Sequence, residues 1–594
     1  MEGGYMRRQI IGSVCVAAAV TMMSGSIYAY TAGTYTGSGT GHNGPVSVEV
    51  TVSEDAIENI EITETSESVY MGEVASEHVI SDVLEYQSLA VDSVSGCTIS
   101  RQAFLAAITD ALTQAGGDID ALKKVEIPQK TGEERTIDTD VVVIGSGGAG
   151  LTAALQAAYD GADVVVLEKL ARLGGSTLTS SAMLVVAGSK LQEEAGIEDN
   201  VQNLKDYFNE RSEGIADPEW TDFYAENIND ILNWFMDLGV NYTKDLVLIQ
   251  GTTTTPRAHM PVESGRELIP RLVEEAEKNG VQILTETPAV SLIQAEDGTV
   301  TGVIADDHGA EVTVNAKAVI IATGGYAKNT ELLEKYAPEA ADAWGESSPG
   351  SVGDGLLMGI DAGAGTVFKD GFIGWKVVTP AYDQTSAIGA PIYGAANLVV
   401  NEQGKRFGNE SVDYPFMYQD MIADGSDTFY FIFDSGDKET KDLVNNVSDT
   451  VKNLELGVEA GVAFKADTIE ELAQTSGLSN LAETVAKFND AIDTGTDEEF
   501  GRDTSGMIKI QNGPFYALQC KKATLGTFGG LDTNITGEVV TEDGEVIPGL
   551  YAAGEVANGE FFPRTYFSSG TALGEAVVFG REAGRSAAAY AKEN

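Results

Sequence analysis

The chain is poor in the residues that build metal and disulfide sites. It has three cysteines, Cys15, Cys97 and Cys520, which are too few for a disulfide framework or a metal–thiolate site. No CxxCH sequence is present, which excludes a c-type haem. The four histidines are scattered along 594 residues, so we predict no metal centre.

Basic residues are also scarce, with 37 Lys and Arg against 91 Asp and Glu and a formal charge of −54. A surface this negative repels nucleic acid and anionic lipid, so we predict neither as a partner. The apolar run 10–23 follows Arg7 and Arg8 and is shorter than the roughly 20 residues of a spanning helix. We therefore predict a signal peptide over 1–29, cleaved after Ala29, and an exported, extracytoplasmic protein. The alternative is an uncleaved N-terminal membrane anchor.

Residues 30–117 have the pattern of a small α+β module. Residues 46–52 alternate apolar and polar side chains, as a half-buried strand does, and 57–63 supply a second strand. Apolar residues at helical spacing follow in 101–108.

A short motif, SGCTIS at 95–100, precedes that helix. It resembles the acceptor motif of FMN-binding modules in exported flavoproteins, where the threonine takes FMN through a phosphoester bond that a dedicated transferase forms. The resemblance implies covalent FMN at Thr98 and a flavin transferase as a partner. The alternative is an ordinary strand-to-helix turn with Ser100 as the helix N-cap.

A dinucleotide-binding fingerprint begins near Asp140. Residues 137–144 are typical of a buried parallel strand, GSGGAG at 145–150 leads into a helix over 151–158, and a second strand at 164–167 ends in Glu168. Glycines at these places let the backbone approach a pyrophosphate at the helix N-terminus. The carboxylate after the second strand can hydrogen-bond ribose hydroxyls.

Three further segments indicate FAD rather than NAD: GGST at 174–177, AVIIATGGY at 318–326 and IPGLYAAGE at 547–555. They resemble the segment under the flavin and the second and third FAD motifs of the fumarate reductase superfamily. The resemblance covers roughly 138–594 and implies non-covalent FAD. The residues it assigns to FAD are Gly145, Gly147, Gly150, Glu168, Lys169, Gly174, Gly175, Ser176, Thr177, Ala322, Thr323, Gly324, Gly355, Gly554, Glu555, Thr571 and Ala572.

These motifs define the predicted organisation. The fold class is α/β, with a Rossmann-like FAD-binding domain split by an α+β capping domain and preceded by the small FMN-binding domain. The predicted boundaries are 1–29 for the signal, 30–117 for the FMN-binding domain, 118–137 for a linker, 138–345 and 506–594 for the two parts of the FAD-binding domain, and 346–505 for the capping domain.

The residues with which fumarate reductases handle a dicarboxylate are mostly absent. In that family one arginine protonates the substrate, while two histidines and a second arginine grip its carboxylates. The matching positions here are Tyr414 for the proton donor, Trp375 or Lys376 and Gly526 for the histidines, and Arg564 for the second arginine. The alternative is that Phe567 replaces this arginine outright. Burying two carboxylates without cationic partners costs several kcal/mol per charge, so we predict a larger, less charged substrate than fumarate.

Two substrate classes fit this pattern. One is an aryl acrylate, with its ring among Trp375, Tyr393 and Phe567 and its carboxylate on Arg564, assisted by Lys376. The other is an enone such as a 3-ketosteroid, because YFSSGT at 566–571 is similar to the ketosteroid dehydrogenase pattern YPGxGT. In that family a tyrosine hydroxyl and a glycine amide hold the ketone oxygen, which implies these roles for Tyr566 and Gly570. For both classes Tyr414 is the predicted proton donor, since a phenol is protonated at neutral pH.

We therefore predict an FAD- and FMN-dependent oxidoreductase acting on CH–CH bonds in anaerobic respiration. FMN would relay electrons from an extracytoplasmic or membrane-associated donor, and FAD would reduce an activated C=C bond of a small unsaturated substrate. The alternatives are the reverse reaction, as a dehydrogenase, and a flavin carrier without substrate chemistry. His259 is predicted to pack beside the flavin, and His308 to lie in a hairpin turn without a function.

Overall fold

The structure, a computed structural model, describes residues 30–594 except 42–43, 68, 93–96, 213, 245, 247–254, 379–397, 413, 435–456, 460, 563 and 565. Of 69–71, 375–378, 414–415 and 506 it describes the backbone alone. The predicted signal, Tyr393 and the side chains of Trp375, Lys376 and Tyr414 thus lie outside the described part. The chain divides into two compact units. Unit 1 holds the described residues as far as Ser66, with Glu77–Asp92 and Gln102–Ile127; unit 2 holds the rest.

Unit 1 contains a three-stranded antiparallel sheet in the order β1-β2-β3. The strands are β1 (Gly33–Thr40), β2 (Pro45–Val52) and β3 (Ile57–Thr65), and the helices are the larger parts of α1 (Val69–Tyr86) and α2 (Thr98–Gln114), with α3 (Ile119–Leu122). Alternation along β2 buries Val46, Val48 and Val50. The Cβ of a residue larger than glycine at position 37 would come 2.0 Å from the Ala107 carbonyl oxygen, so β1 and α2 pack backbone to backbone. The two strands and the helix predicted for this module are confirmed.

Unit 2 is built around an eight-stranded sheet. Its order is β20-β21-β11-β4-β5-β8, and β10 pairs with both β11 and β9. The strands are β4 (Arg135–Ile144), β5 (Val164–Leu167), β8 (Gln282–Leu284), β9 (Ala289–Gln294), β10 (Val300–Asp307), β11 (Ala310–Ile321), β20 (Glu538–Val540) and β21 (Val546–Ala552). The neighbours from β21 to β8 run parallel, so their carboxyl ends meet at one edge. Parallel strands with buried valines, as in β5, are typical of sheets covered on both faces.

Helices pack against this sheet. The long C-terminal helix α15 (Thr571–Glu593) lies on α4 (Gly148–Tyr159), and small residues permit the close approach, since a Cβ at Gly584 would meet the Ala153 carbonyl oxygen at 2.2 Å. The other helices as far as α11 are α5 (Gly175–Thr179), α6 (Lys190–Glu194), α7 (Val201–Arg211), α8 (Pro218–Asp237), α9 (Gly265–Lys278), α10 (Thr330–Tyr336) and α11 (Asp354–Asp361). The large core on this side is rich in aromatic side chains from α7, α8 and the segment before α15.

A second, six-stranded sheet has the order β12-β18-β16-β15, with β14 and β17 also paired to β18. Its strands are β12 (Trp344–Gly345), β14 (Phe372–Val378), β15 (Leu398–Asn401), β16 (Phe429–Asp434), β17 (Ala463–Ala466) and β18 (Phe515–Thr527). Helices α12 (Tyr414–Asp424), α13 (Ile469–Ser476) and α14 (Leu481–Thr494) accompany it. Two short pairs, β6 (Leu184–Val185) with β7 (Ala258–His259) and β13 (Thr366–Val367) with β19 (Gly530–Leu531), complete the described strands.

Four buried charged side chains beside the second sheet form an ionic network. The Arg406 guanidinium donates to Glu410 at 2.7 Å and to Asp497 at 2.9 Å, and Arg502 reaches Glu410 at 3.1 Å. All four side chains are at most 2% exposed. Because neighbouring carboxylates favour the charged guanidinium, the pKa of Arg406 is raised although burial opposes this. Removing one member would leave buried charge without compensation.

None of the helices in the described part of the chain has the length and apolar character needed to cross a membrane.

Candidate active site

The loop after β4 has the geometry of a phosphate-binding turn. Gly145 has φ +107°, a left-handed conformation, and a Cβ there would meet the Ala322 carbonyl oxygen at 2.4 Å. A Cβ at Gly150 would lie 2.0 Å from the Gly145 oxygen. At Gly147, in contrast, it would meet no atom within 4 Å. The first two glycines are therefore required by the protein itself, whereas Gly147 leaves open space at the N-terminus of α4, where an anion is favoured.

Glu168 lies where a ribose-binding acid is expected, directly after β5. Its carboxylate accepts hydrogen bonds from the Ser146 hydroxyl at 2.6 Å, the Ser146 amide at 3.1 Å and the Leu170 amide at 2.8 Å. These bonds hold the carboxylate against the glycine loop and fix its orientation.

The other two FAD motifs lie at the same edge of the sheet. Strand β11 ends at Ile321, before Ala322–Gly324, and its parallel neighbour β21 ends at Ala552, before Glu555. Glu555 accepts hydrogen bonds from the Thr527 amide at 2.7 Å and the Thr527 hydroxyl at 3.1 Å. The order of the parallel strands thus brings the three FAD motifs, which are remote in sequence, to one edge of the sheet.

Together these segments line a cavity of about 560 Å³. Twelve of the residues assigned to FAD from the sequence line it: Gly145, Gly147, Glu168, Lys169, Gly175, Ser176, Thr177, Ala322, Thr323, Gly324, Glu555 and Ala572. The other residues of that set do not line the cavity: Gly150, Gly174, Gly355, Gly554 and Thr571. A Cβ at Gly355 would come 2.2 Å from the Thr323 hydroxyl, so such glycines let neighbouring segments approach the cavity wall closely.

The cavity fits a dinucleotide such as FAD. Amide groups at the start of α4, the open position at Gly147 and the oriented Glu168 are the contacts that a pyrophosphate and a ribose need. The Ser347 hydroxyl also lines the cavity and is buried without a hydrogen-bond partner, which leaves it available to an occupant.

The charge of the cavity is strongly asymmetric. Among its described lining residues Lys169 is the only cation, and its ammonium already pairs with Asp354 at 2.6 Å. Burial raises the pKa of the carboxyls of Glu346, Glu555 and Glu575, which also line it. This wall offers poor electrostatic support to a dicarboxylate.

Tyr566 is the predicted catalytic residue that the structure brings into the cavity. It is 4% exposed, and its hydroxyl oxygen accepts hydrogen bonds from the amides of Gly570 at 3.1 Å and Ala572 at 3.3 Å. Gly570 also lines the cavity, but its amide is directed at the phenol oxygen. Gly526 lines the wall nearby, in β18.

The other predicted catalytic residues are not brought together with Tyr566. Arg564 is 59% exposed, pairs with Glu339 at 2.8 Å and does not line the cavity. Phe567 is fully buried among aromatic side chains. Tyr414 begins α12 and Lys376 lies in β14, but the structure describes their backbone alone, so their roles remain predictions.

His259 is buried away from the cavity lining. Its Nε2 lies 2.7 Å from the Ser189 hydroxyl and its Nδ1 2.7 Å from the Arg257 carbonyl oxygen. Burial lowers the pKa of the imidazole, so it is neutral, and Nδ1 donates to the carbonyl. The ring therefore joins β7 to the start of α6. His308 has φ +50° in the β10–β11 turn, as the hairpin prediction requires.

Thr98 is the first residue of α2 and is half-buried, and an FMN phosphate attached there would lie at a helix N-terminus. Ser100, the alternative N-cap, lies inside the helix and donates a hydrogen bond to Glu67. In the described part of the chain no cluster of histidine, cysteine or acidic side chains could hold a metal ion.

Glu575 lines the cavity but belongs to none of the sequence motifs. Glu575 is 1% exposed in α15, and neither carboxylate oxygen has a hydrogen-bond partner. The only available signal was an acid inside an otherwise apolar or small run, TALGEAVVFG at 571–580.

The parallel sheet, glycine loop and three-motif cavity define a flavin-binding α/β protein. The comparisons agree: the FAD binding domain model matches 140–572 and the FMN-binding domain model matches 41–113. The chain belongs to the FAD binding domain family, as a fumarate reductase-like flavoprotein with an N-terminal FMN-binding module.

Three relatives have sequences similar to this chain. A urocanate reductase of Eggerthella lenta is 32% identical over 94% of this chain and 92% of its own length. An NADH:acrylate oxidoreductase of Vibrio harveyi is 31% identical over 94% of this chain, which spans 61% of that longer protein. A vinyl phenol reductase of Lactiplantibacillus plantarum is 32% identical over 76% of this chain and 96% of its own.

Among solved structures, the open conformation of a flavocytochrome c3 fumarate reductase aligns with a TM-score of 0.64 and 29% identity, over 77% of this chain and 79% of the other. The mixed α/β class expected from the sequence is thereby confirmed.

Proposed function

We propose that this chain is an extracytoplasmic reductase of activated C=C bonds, with an aryl acrylate-type acid as its preferred substrate. The observation that carries the proposal is the single cavity that joins the three FAD motifs to Tyr566 while offering Lys169 as its only described cation. The named relatives include reductases of acrylate, urocanate and vinyl phenol, which supports reduction of a conjugated alkene.

FAD bound in the cavity would supply a hydride to the β-carbon of such an alkene. The chain supplies the polar contacts. Because the Tyr566 oxygen accepts two amide hydrogen bonds, Tyr566 would act as the donor in a further hydrogen bond to a substrate oxygen, which polarises the conjugated alkene. Tyr414 is the proposed donor of the proton to the α-carbon, with Lys376 and Arg564 as proposed carboxylate contacts.

The remaining features of the proposal come from the sequence. FMN joined to Thr98 by a flavin transferase would pass electrons inward from an extracytoplasmic or membrane-associated donor in anaerobic respiration, after export through residues 1–29. A Rossmann-like FAD domain split by a capping domain over 346–505 would enclose the substrate.

The second candidate is an enone or 3-ketosteroid reductase, or the corresponding dehydrogenase. Tyr566 favours it, because a phenol in the cavity can hold a ketone oxygen. The Gly570 amide, however, is directed at the phenol oxygen itself. A ketone clamp in this site would therefore rest on Tyr566.

The test is anaerobic turnover of the two-flavin protein with a reduced viologen dye and four substrates offered separately: fumarate, urocanate, cinnamate and a 3-keto-4-ene steroid. We expect cinnamate to oxidise the dye far faster than fumarate. Preferential turnover of fumarate would contradict the charge argument, and preferential turnover of the steroid would replace the first candidate with the second.

A further inference from the structure

The carboxyl group of Glu575 is buried at the wall of the cavity without a hydrogen-bond partner. Glu575 lies in the second turn of α15, is 1% exposed and is one of the residues that line the cavity. Neither of its two oxygens makes a hydrogen bond in the described part of the chain. A buried polar group in this state costs free energy, and the occupant of the cavity is the available source of a partner.

The wall around Glu575 leaves room for an occupant. The other residues of α15 that line the cavity are Ala572, Leu573 and Ala576, and two of these three are alanines. The glycine loop lines the same cavity, and a Cβ at Gly147 would meet no atom within 4 Å. The side chain of Glu575 therefore borders the space that the phosphate-binding turn leaves open.

The surroundings of Glu575 disfavour its charged form. Titratable groups near it are the carboxyl of Glu555, in the turn after β21, and the phenol of Tyr224, in α8. Burial first and the Glu555 charge second raise the pKa of the Glu575 carboxyl well above its ordinary value. Lys169, the only cation among the described lining residues, already pairs with Asp354 at 2.6 Å. The neutral carboxylic acid is therefore the favoured form of Glu575.

The protonation state of Glu575 decides what it offers to a dinucleotide. An ionised carboxylate only accepts hydrogen bonds, and it would repel the negative charge of a pyrophosphate. A neutral carboxylic acid has one O–H donor. Phosphate, carbonyl and hydroxyl oxygens of FAD are acceptors, so this donor can satisfy both the buried acid and the cofactor.

We propose that Glu575 binds FAD as a neutral carboxylic acid whose O–H donates to an oxygen of the dinucleotide, so that FAD is bound together with a proton. The proton stays on Glu575, and no covalent bond to FAD forms or breaks. The inference concerns how the chain holds its cofactor, and it does not depend on which alkene the protein reduces.

The first test compares FAD binding in wild type, Glu575→Gln and Glu575→Leu. The holoproteins are diluted in series, free FAD is separated by ultrafiltration, and the Kd is obtained from its fluorescence. The Gln amide keeps an N–H donor, so we expect a Kd close to that of wild type. Leu has a similar size and no donor, so its Kd should rise roughly 10-fold. Glu593→Leu, which replaces an exposed acid of the same helix, is the control and should leave the Kd unchanged.

The second test observes the proton itself. Infrared spectra of the wild-type and Glu575→Gln holoproteins are subtracted at pH 7. We expect the carbonyl band of a protonated carboxylic acid in wild type that is absent from Glu575→Gln, and we expect that band to shift when FAD is removed from wild type, because the hydrogen bond to FAD is lost.

Neither readout involves turnover, so the result is independent of the reductase assay. An unchanged FAD Kd in Glu575→Leu, or an equal rise in Glu593→Leu, would overturn the contact between Glu575 and FAD. A carboxylate band in place of the protonated one, or equal losses of affinity in Glu575→Gln and Glu575→Leu, would overturn the role of Glu575 as a neutral donor.

Discussion

Replacing Glu575 with glutamine should stabilise the protein, and more so at alkaline than at acidic pH. Both carboxylate oxygens of Glu575 are buried without a hydrogen-bond partner. Burial first, and the nearby Glu555 charge second, raise the pKa of this carboxyl well above its ordinary value of 4.5. The folded protein therefore holds the proton more tightly than the unfolded chain does.

The sign and size of the effect follow from this difference. A raised folded-state pKa makes stability greatest below the ordinary carboxyl pKa. Stability is then lost as the pH rises from about 4.5 towards the folded-state value. The loss is about 1.4 kcal/mol for each pH unit in that window. Glutamine is neutral at every pH, so Glu575→Gln should abolish this slope.

The assay is urea unfolding of wild type and Glu575→Gln with saturating FAD at several pH values between 5 and 8. The difference in unfolding free energy between the two proteins should grow with pH, by at most about 1.4 kcal/mol per unit, as long as the pH stays below the folded-state pKa of Glu575. The exposed Glu542, replaced in the same way, is the control for the substitution itself. A difference that is constant with pH, or a variant that is less stable at pH 8, would show that burial does not raise the pKa of the Glu575 carboxyl.

Three further results are expected. Gly147→Ala should fold normally but bind FAD at least about 10-fold more weakly, because the added Cβ enters the open space in which we expect the pyrophosphate. Gly150→Ala should instead cost about 1–3 kcal/mol of stability, because its Cβ overlaps the Gly145 oxygen. FAD titration and urea unfolding distinguish the two variants, and an unaffected FAD Kd in Gly147→Ala would count against the site. Arg406→Met should lose about 3–5 kcal/mol of unfolding free energy, because it leaves the buried carboxylates of Glu410 and Asp497 without this cation. Lys487→Met, which removes an exposed ion pair, is the control and should change the stability little. Equally small effects of the two substitutions would show that the buried network does not stabilise the protein. Tyr566→Phe should lower kcat roughly 100-fold at unchanged FAD content, and an unchanged kcat would remove Tyr566 from the chemistry.

Features determined by local sequence were predictable. Strand β5 has the predicted bounds, because a short run of consecutive valines is typical of a parallel strand that is buried on both faces. The glycine loop also follows from its motif, since the left-handed φ of Gly145 and the close approach at Gly150 are properties of a few consecutive residues.

Features that depend on contacts between distant segments were not predictable. Arg564 and Glu339 are 225 positions apart, and nothing near either residue indicates their ion pair. Arg211 meets Phe567 across 356 positions for the same reason. The motif assigned Tyr566 and the Gly570 amide to one ligand oxygen, but the amide donates to the phenol oxygen, because the turn at the start of α15 brings the two together.

The most direct test of the account is a single-turnover experiment on the pre-reduced protein. Wild type and Thr98→Ala, each with its flavins fully reduced, are mixed without air with excess cinnamate, and flavin reoxidation and product are followed together. We expect one molecule of saturated acid for each flavin that the protein carries, so that wild type forms twice the product of Thr98→Ala. Reoxidation by fumarate but not by cinnamate, or equal product from both proteins, would contradict it.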